Sequence, residues 1–127
     1  MPVRGIRGAT VAAANTPDSI RSATRELLLA LATANRLDPV DIASILFSAT
    51  PDLTAEAPAR AARQMGWTEA AMLCLGEMDV VDGLKRCIRV LIHWNTDKGV
   101  DEIRHVYLHE AAQLRPDRAA LTSDRDP

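Results

Sequence analysis

The chain opens with the side-chain pattern of a β-strand. From Val3 to Val11 the residues alternate between two faces with the two-residue period of a strand. The odd-numbered face carries Arg7 among small and apolar side chains. We therefore predict a strand over residues 3–11 with a charge on a mainly apolar face.

A long amphipathic helix is predicted next. Thr16 and Pro17 supply an N-cap and a proline at the first helical position. Apolar residues then recur with helical spacing until the helix ends near Asn35. They are Ile20, Ala23, Leu27, Leu31 and Ala34.

A second strand and a short helix follow. The continuous apolar run 42–47 is rich in β-forming residues, which is typical of a strand buried on both faces. Pro58 opens a short helix that runs through Met65 and is closed by Gly66.

The second half of the chain contains further strand patterns. Residues 72–75 form a short apolar strand, and a turn is predicted at Asp82-Gly83. Residues 87–94 alternate most clearly, with Arg89 on one face between Cys87 and Leu91. A last strand is predicted over residues 103–108.

This order of elements predicts an α+β fold, a mixed β-sheet with helices on one face. Two helices leave the other face of an apolar sheet uncovered, so we expect self-association into a closed cyclic oligomer. One domain is expected over residues 1–116. Residues 117–127 are charged and weakly patterned, so we expect them to form a mobile tail.

Composition narrows the class of protein. With 47% hydrophobic residues, 25% charged residues and a net charge of -2, the 127-residue chain is typical of a globular protein. The slight acidic excess and the few aromatic residues argue against nucleic acid as a partner. No apolar stretch approaches the roughly 20 residues of a membrane span, and no signal segment precedes the first strand, so we expect a cytoplasmic protein.

The candidate chemistry begins with arginines inside apolar strands. A buried guanidinium is costly unless a carboxylate or an anionic ligand pairs with it. Arg7 and Arg89 therefore bind an anion, form an internal salt bridge or reach solvent at a strand end, and the pattern leaves these alternatives open.

Other reactive side chains are less informative alone. Glu77 follows a strand and a glycine, where it binds a ligand or is simply solvated. Tyr107 offers a hydroxyl to a ligand or to the core. Cys74 fits an inert, buried strand cysteine. No metal site is expected, because no cysteine or carboxylate spacing completes a ligand set with the histidines, which are His93, His105 and His109.

Several segments, in the same order, resemble the small monofunctional chorismate mutases that assemble as trimers. They cover nearly the whole chain except the tail, which makes them more specific than any single motif. The segments are residues 3–10, 48–53, 77–80, 87–90, 104–108 and 114–117.

The resemblance implies a reaction and an assembly. The reaction is the intramolecular Claisen rearrangement of chorismate to prephenate in the biosynthesis of phenylalanine and tyrosine. It needs no metal, no cofactor and no covalent intermediate. The implied assembly is a homotrimer that forms a pseudo-α/β barrel core, with active sites between subunits.

The resemblance also implies the roles of site residues. Arg89 hydrogen-bonds the ether oxygen and a carboxylate, Arg7 binds a carboxylate, Tyr107 adds a hydrogen bond, and Glu77 holds the ring hydroxyl and orients the arginines. The further substrate-binding positions are Leu73, Cys74, Leu75 and Gly76 along the pocket, Ala57, Arg60 and Arg63 from a neighbouring subunit, and Leu114 and Arg115 as a cover.

Two positions depart from the family pattern. Ala57 stands where the family has an aromatic residue, and Leu73 replaces a usual threonine. A trimeric module that senses a carboxylate without catalysis is the alternative function. The small trimeric imine deaminases share the general architecture, but their sequence motifs are absent.

Overall fold

A computed structural model of the chain describes residues 1–114. Its strands are β1 (Val3–Val11), β2 (Ile42–Ala49), β3 (Ala71–Gly76), β4 (Cys87–Asn95) and β5 (Val106–Tyr107). Its α-helices are α1 (Pro17–Asn35) and α2 (Ala59–Gln64), and short 3₁₀ turns cover Pro39–Asp41, Val100–Glu102 and His109–Gln113.

The strands form one mixed sheet in the order β3-β2-β4-β1-β5. β4 runs antiparallel to both β1 and β2, while β3 is parallel to β2 and β5 is parallel to β1. Both helices contribute to the main core cluster on one side of this sheet, and α1 also contributes Ile20 to a smaller second cluster. The predicted α+β class, with helices on one face of a mixed sheet, is confirmed for the single chain.

The long helix has the predicted beginning and buried face. Thr16 Oγ1 accepts a hydrogen bond from the Ser19 backbone N–H at 3.1 Å, which satisfies one free donor of the first turn. Leu27 and Leu31 are fully buried against the sheet. No helix in residues 1–114 combines the length and apolar character needed to cross a membrane.

α1 packs tightly against the sheet at Gly8. A Cβ added there would lie 2.7 Å from Leu31 Cδ1 and 3.1 Å from Leu27 Cδ1. We expect Gly8→Ala to destabilise the fold by about 1–3 kcal/mol, the usual cost of overpacking a core. Urea denaturation at one fixed protein concentration measures this change.

Gly5→Ala is the matched control for Gly8→Ala, since Gly5 lies on the same strand and faces away from α1. A Cβ at Gly5 meets only Leu91 Cδ1, at the ordinary contact distance of 3.5 Å. Equal midpoints for the two variants would contradict the packing explanation.

The last strand is shorter than predicted, because side chains replace the expected strand pairing in the first half of residues 103–108. The Asn35 side chain accepts from the Arg104 backbone N–H at 2.8 Å and donates to the Arg104 carbonyl at 2.9 Å. His105 Nδ1 accepts from the Arg7 backbone N–H at 2.9 Å. Only two residues remain to pair with β1.

The prediction that β2 is buried on both faces is wrong for the single chain. Ile45 and Phe47 are fully buried towards the helices. Ala43 is exposed, while Leu46 and Ser48 are only partly covered. The difference arises because both helices pack on the other face of the sheet. We call the face opposite the helices, on which Leu46 and Ser48 lie, the open face.

Candidate active site

Strand register brings the candidate site residues into one row across the open face. Ser48 on β2 pairs with Arg89 on β4 and with Leu75 on β3. Ala9 on β1 pairs with Arg89 and with Tyr107 on β5. Arg89 therefore lies at the centre of a row that ends at Tyr107.

The adjacent row adds the second arginine. Arg7 pairs with Leu91, and Leu91 pairs with Leu46. A concavity of about 300 Å³ spans both rows and is lined by Arg7, Leu46, Ser48, Leu75, Arg89, Leu91 and Tyr107 among others. Two guanidinium groups and a phenol thus border one mainly apolar hollow, which suits a small anion.

Glu77 joins this group from the end of β3. Its backbone N–H donates to the Ala49 carbonyl at 2.9 Å, which continues the β2–β3 pairing by one residue. Its Oε2 atom lies 3.3 Å from Arg89 Nε and accepts a 2.6 Å hydrogen bond from Ser48 Oγ. The structure therefore places all of Arg7, Glu77, Arg89 and Tyr107 at the open face.

The expected burial of the arginines is not found in the single chain. The Arg89 side chain is 46% exposed and its partner Glu77 is 20% exposed. Arg7 is exposed as well. Both arginines lie on the open face, away from the helices, whereas Ile6, Gly8 and Thr10 of β1 are buried on the other face.

The cysteine prediction needs a correction too. Cys74 is exposed, because β3 is an edge strand. It pairs with Phe47, whose side chain points to the helices, so Cys74 faces away from the concavity. Cys87 is buried, and burial raises the pKa of its thiol, so it stays protonated at neutral pH. Cys87 therefore lacks the environment of a nucleophile.

Several other predicted site residues do not line the 300 Å³ concavity. Leu73, in the same row as Leu46, is 55% exposed, and Gly76 ends β3. Leu114 borders a neighbouring hollow together with Glu77 and Arg89. Arg115 and the predicted tail lie outside the described residues.

The predicted arginines of α2 lie on the helix side of the sheet. Arg60 and Arg63 are both exposed there, as is Ala57 just before the helix. Arg60 Nε is 3.8 Å from Glu56 Oε1. The sheet therefore separates these residues from Arg89 within one chain.

The segment before α2 is held to α1 by a two-point contact. Arg21 donates hydrogen bonds of 2.9 and 2.8 Å to the two carboxylate oxygens of Glu56. These bonds hold the pKa of Glu56 below its ordinary value. Ala57, Arg60 and Arg63 therefore follow directly after a residue that is anchored to α1.

Sequence reasoning missed two polar contacts at the site. Ser48 was noticed only as part of a motif, although a hydroxyl in an apolar run is a detectable signal. The bond from the Arg7 backbone to His105 has no local signal, because it joins distant residues.

Within residues 1–114, no group of three or more His, Cys, Asp or Glu side chains could hold a metal ion.

Comparisons with known proteins point to one family. The model of the family described as chorismate mutase type I matches residues 3–118. Chorismate mutase AroH of Bacillus subtilis is 47% identical over 118 residues, covering 92% of this chain and 93% of that protein. Chorismate mutase AroH of Thermus thermophilus is 49% identical over 116 residues, covering 91% and 95%.

A solved structure agrees with this result. The chorismate mutase from Clostridium thermocellum superposes with a TM-score of 0.85 at 49% sequence identity, covering 87% of this chain and 98% of that chain.

Proposed function

The chain belongs to the chorismate mutase type I family and isomerises chorismate to prephenate, and we propose that it does so on the open face of its sheet. The observation that carries this proposal is the row that holds Arg89 between Ser48 and Tyr107, with the Glu77 carboxylate 3.3 Å from Arg89 Nε. Arg7 completes the charged set from the next row.

Arg89 carries the largest part of catalysis in this proposal. The rearrangement breaks a C–O bond and forms a C–C bond within one molecule, so no group leaves and no nucleophile is needed. Negative charge grows on the ether oxygen as its bond stretches. A guanidinium fixed beside that oxygen stabilises the transition state more than the ground state, without moving during the reaction.

The remaining residues hold the substrate in its reactive shape. Arg7 binds a carboxylate through its planar donors. Glu77 accepts from the ring hydroxyl, and Tyr107 donates a hydrogen bond from the opposite end of the row. Together they keep the two reacting carbon atoms close, which contributes to the rate by orientation. No metal or cofactor takes part in the proposal.

This site needs a cover that the single chain lacks. Electrostatic stabilisation is strong only where water is excluded, yet nearly half of the Arg89 side chain is exposed. Apolar side chains on the same face are exposed as well, with Leu73 at 55% and Leu75 at 48%. A surface of this kind favours burial against another subunit.

We therefore propose a homotrimer with a pseudo-α/β barrel core and an active site at each subunit interface. Ala57, Arg60 and Arg63 of one subunit would border the site of its neighbour, and Leu114 and Arg115 would cover it. The backbone from Leu73 to Gly76 would line the site along β3, with the side chains of Leu73 and Leu75 on the open face and that of Cys74 on the other face. Residues 1–116 would form the catalytic domain of a cytoplasmic enzyme of aromatic amino acid biosynthesis.

Incubation of the purified protein with chorismate tests the activity. We expect the ultraviolet absorbance of chorismate to decay, at a rate that is the same after exhaustive dialysis against EDTA. A carboxylate-sensing module would instead bind chorismate in calorimetry while the absorbance stayed constant. That outcome would support the carboxylate-sensing function and contradict catalysis.

A further inference from the structure

Ser48 places a hydroxyl inside the site from the sheet itself. It lies on β2, which is an inner strand of the sheet, and pairs directly with Arg89. Its Oγ atom donates a 2.6 Å hydrogen bond to Glu77 Oε2, since an ionised carboxylate only accepts. A bond of this length to a charged oxygen belongs to the stronger class of protein hydrogen bonds.

Both side-chain contacts of the Glu77 carboxylate recorded in residues 1–114 fall on one oxygen. Oε2 receives the Ser48 hydroxyl and faces Arg89 Nε at 3.3 Å. The other oxygen, Oε1, has no hydrogen bond or ion pair among the described residues and is available to accept from a ligand.

Without Ser48, Glu77 would be poorly oriented. Its remaining partner would be Arg89, whose side chain is 46% exposed. That ion pair joins two long, flexible side chains, so holding it in one geometry costs side-chain entropy. The serine, by contrast, is short and is fixed to a paired strand.

We infer that Ser48 is a positioning residue of the active site: its hydroxyl holds Glu77 so that Oε1 accepts from the substrate hydroxyl while Oε2 keeps Arg89 aimed at the ether oxygen. The inference rests on the proposed function, in which Glu77 contacts the substrate. Ser48 itself acts only through Glu77.

Steady-state kinetics of Ser48 variants with chorismate test this role. We expect Ser48→Ala to lower kcat about tenfold, near the lower limit for losing a hydrogen bond to a charged group, with KM changed by no more than about twofold. Ser48→Thr keeps the hydroxyl and is expected to restore most of the loss. A wild-type kcat for Ser48→Ala would overturn the inference.

Ser44→Ala is the matched control. Ser44 lies on the same strand and pairs with His93, and its hydroxyl is 2.8 Å from His93 Nδ1. It should keep wild-type kinetics, because it has no contact with Glu77. An equal loss in Ser44→Ala would mean that any missing hydroxyl on β2 lowers activity, and it would overturn the specific role of Ser48.

A double-mutant cycle separates this inference from the proposed function. In the Glu77→Ala background, Ser48→Ala should cause no further loss, because the residue through which it acts is gone. A full tenfold loss in that background would overturn the inference. Wild-type kinetics for Glu77→Ala alone would instead overturn the proposed site. Circular dichroism of each variant verifies that it is folded.

Discussion

Arg89→Lys is expected to lower kcat about 10²-fold or more while the protein stays folded. The magnitude follows that of removing one fixed donor from an oxyanion site. Lysine keeps the positive charge but loses the planar set of donors, so it cannot contact Glu77, the ether oxygen and a carboxylate at once. The initial rate at which the ultraviolet absorbance of chorismate decays, measured at saturating chorismate, gives kcat directly.

The control for Arg89→Lys is Arg36→Lys. Arg36 is exposed at the C-terminal end of α1, the end farther from α2 along the helix, and is not among the proposed site residues. It should retain wild-type kcat and KM. A near-wild-type rate for purified Arg89→Lys would refute the assignment of Arg89 to the ether oxygen.

Patterns of neighbouring residues predicted the elements that depend on local chemistry. β1 and α1 have the predicted bounds because alternation, an N-cap and a proline are all local signals. β5 was predicted too long because Asn35 and His105 occupy backbone groups of distant residues. Side-chain bonds across about 70 to 100 positions have no periodic signature.

Some residues of the site could be predicted from the sequence pattern, and others could not. Arg7 and Arg89 were detectable as charges in apolar strands, but their partner and their exposure depend on register and on which face α1 covers. Glu77 was informative only through resemblance, since a carboxylate after a strand is common. Ser48 became a site residue only when pairing placed it beside Arg89.

The proposed position of the site between subunits predicts recovery of activity when two defective variants are mixed. Within one chain the sheet separates Arg63 on α2 from Arg89 on the open face. If a neighbour supplies Arg63, Arg63→Ala alone should lose at least roughly tenfold in kcat/KM, because one charged contact to the substrate is removed. Arg89→Lys alone is defective at every site as well.

Mixed oligomers of these two variants should contain intact sites. A site is intact when an Arg63→Ala chain supplies the open face with its Arg89, and an Arg89→Lys chain supplies Arg63. After joint unfolding in urea and refolding of equal amounts, random assembly into a closed ring makes about a quarter of the sites intact. Activity should therefore reach about a quarter of that of wild-type protein refolded in the same way.

The control is a mixture of two variants whose substitutions both lie in the part of the site that a single chain supplies. Glu77 and Arg89 are in contact within one chain, so mixtures of Glu77→Ala and Arg89→Lys can contain no intact site. Light scattering should show that both mixtures reassemble to about three times the 13.8 kDa subunit mass. Absence of recovery in reassembled Arg63→Ala and Arg89→Lys mixtures would contradict a shared site, since random pairing must create intact interfaces if each site draws on two chains.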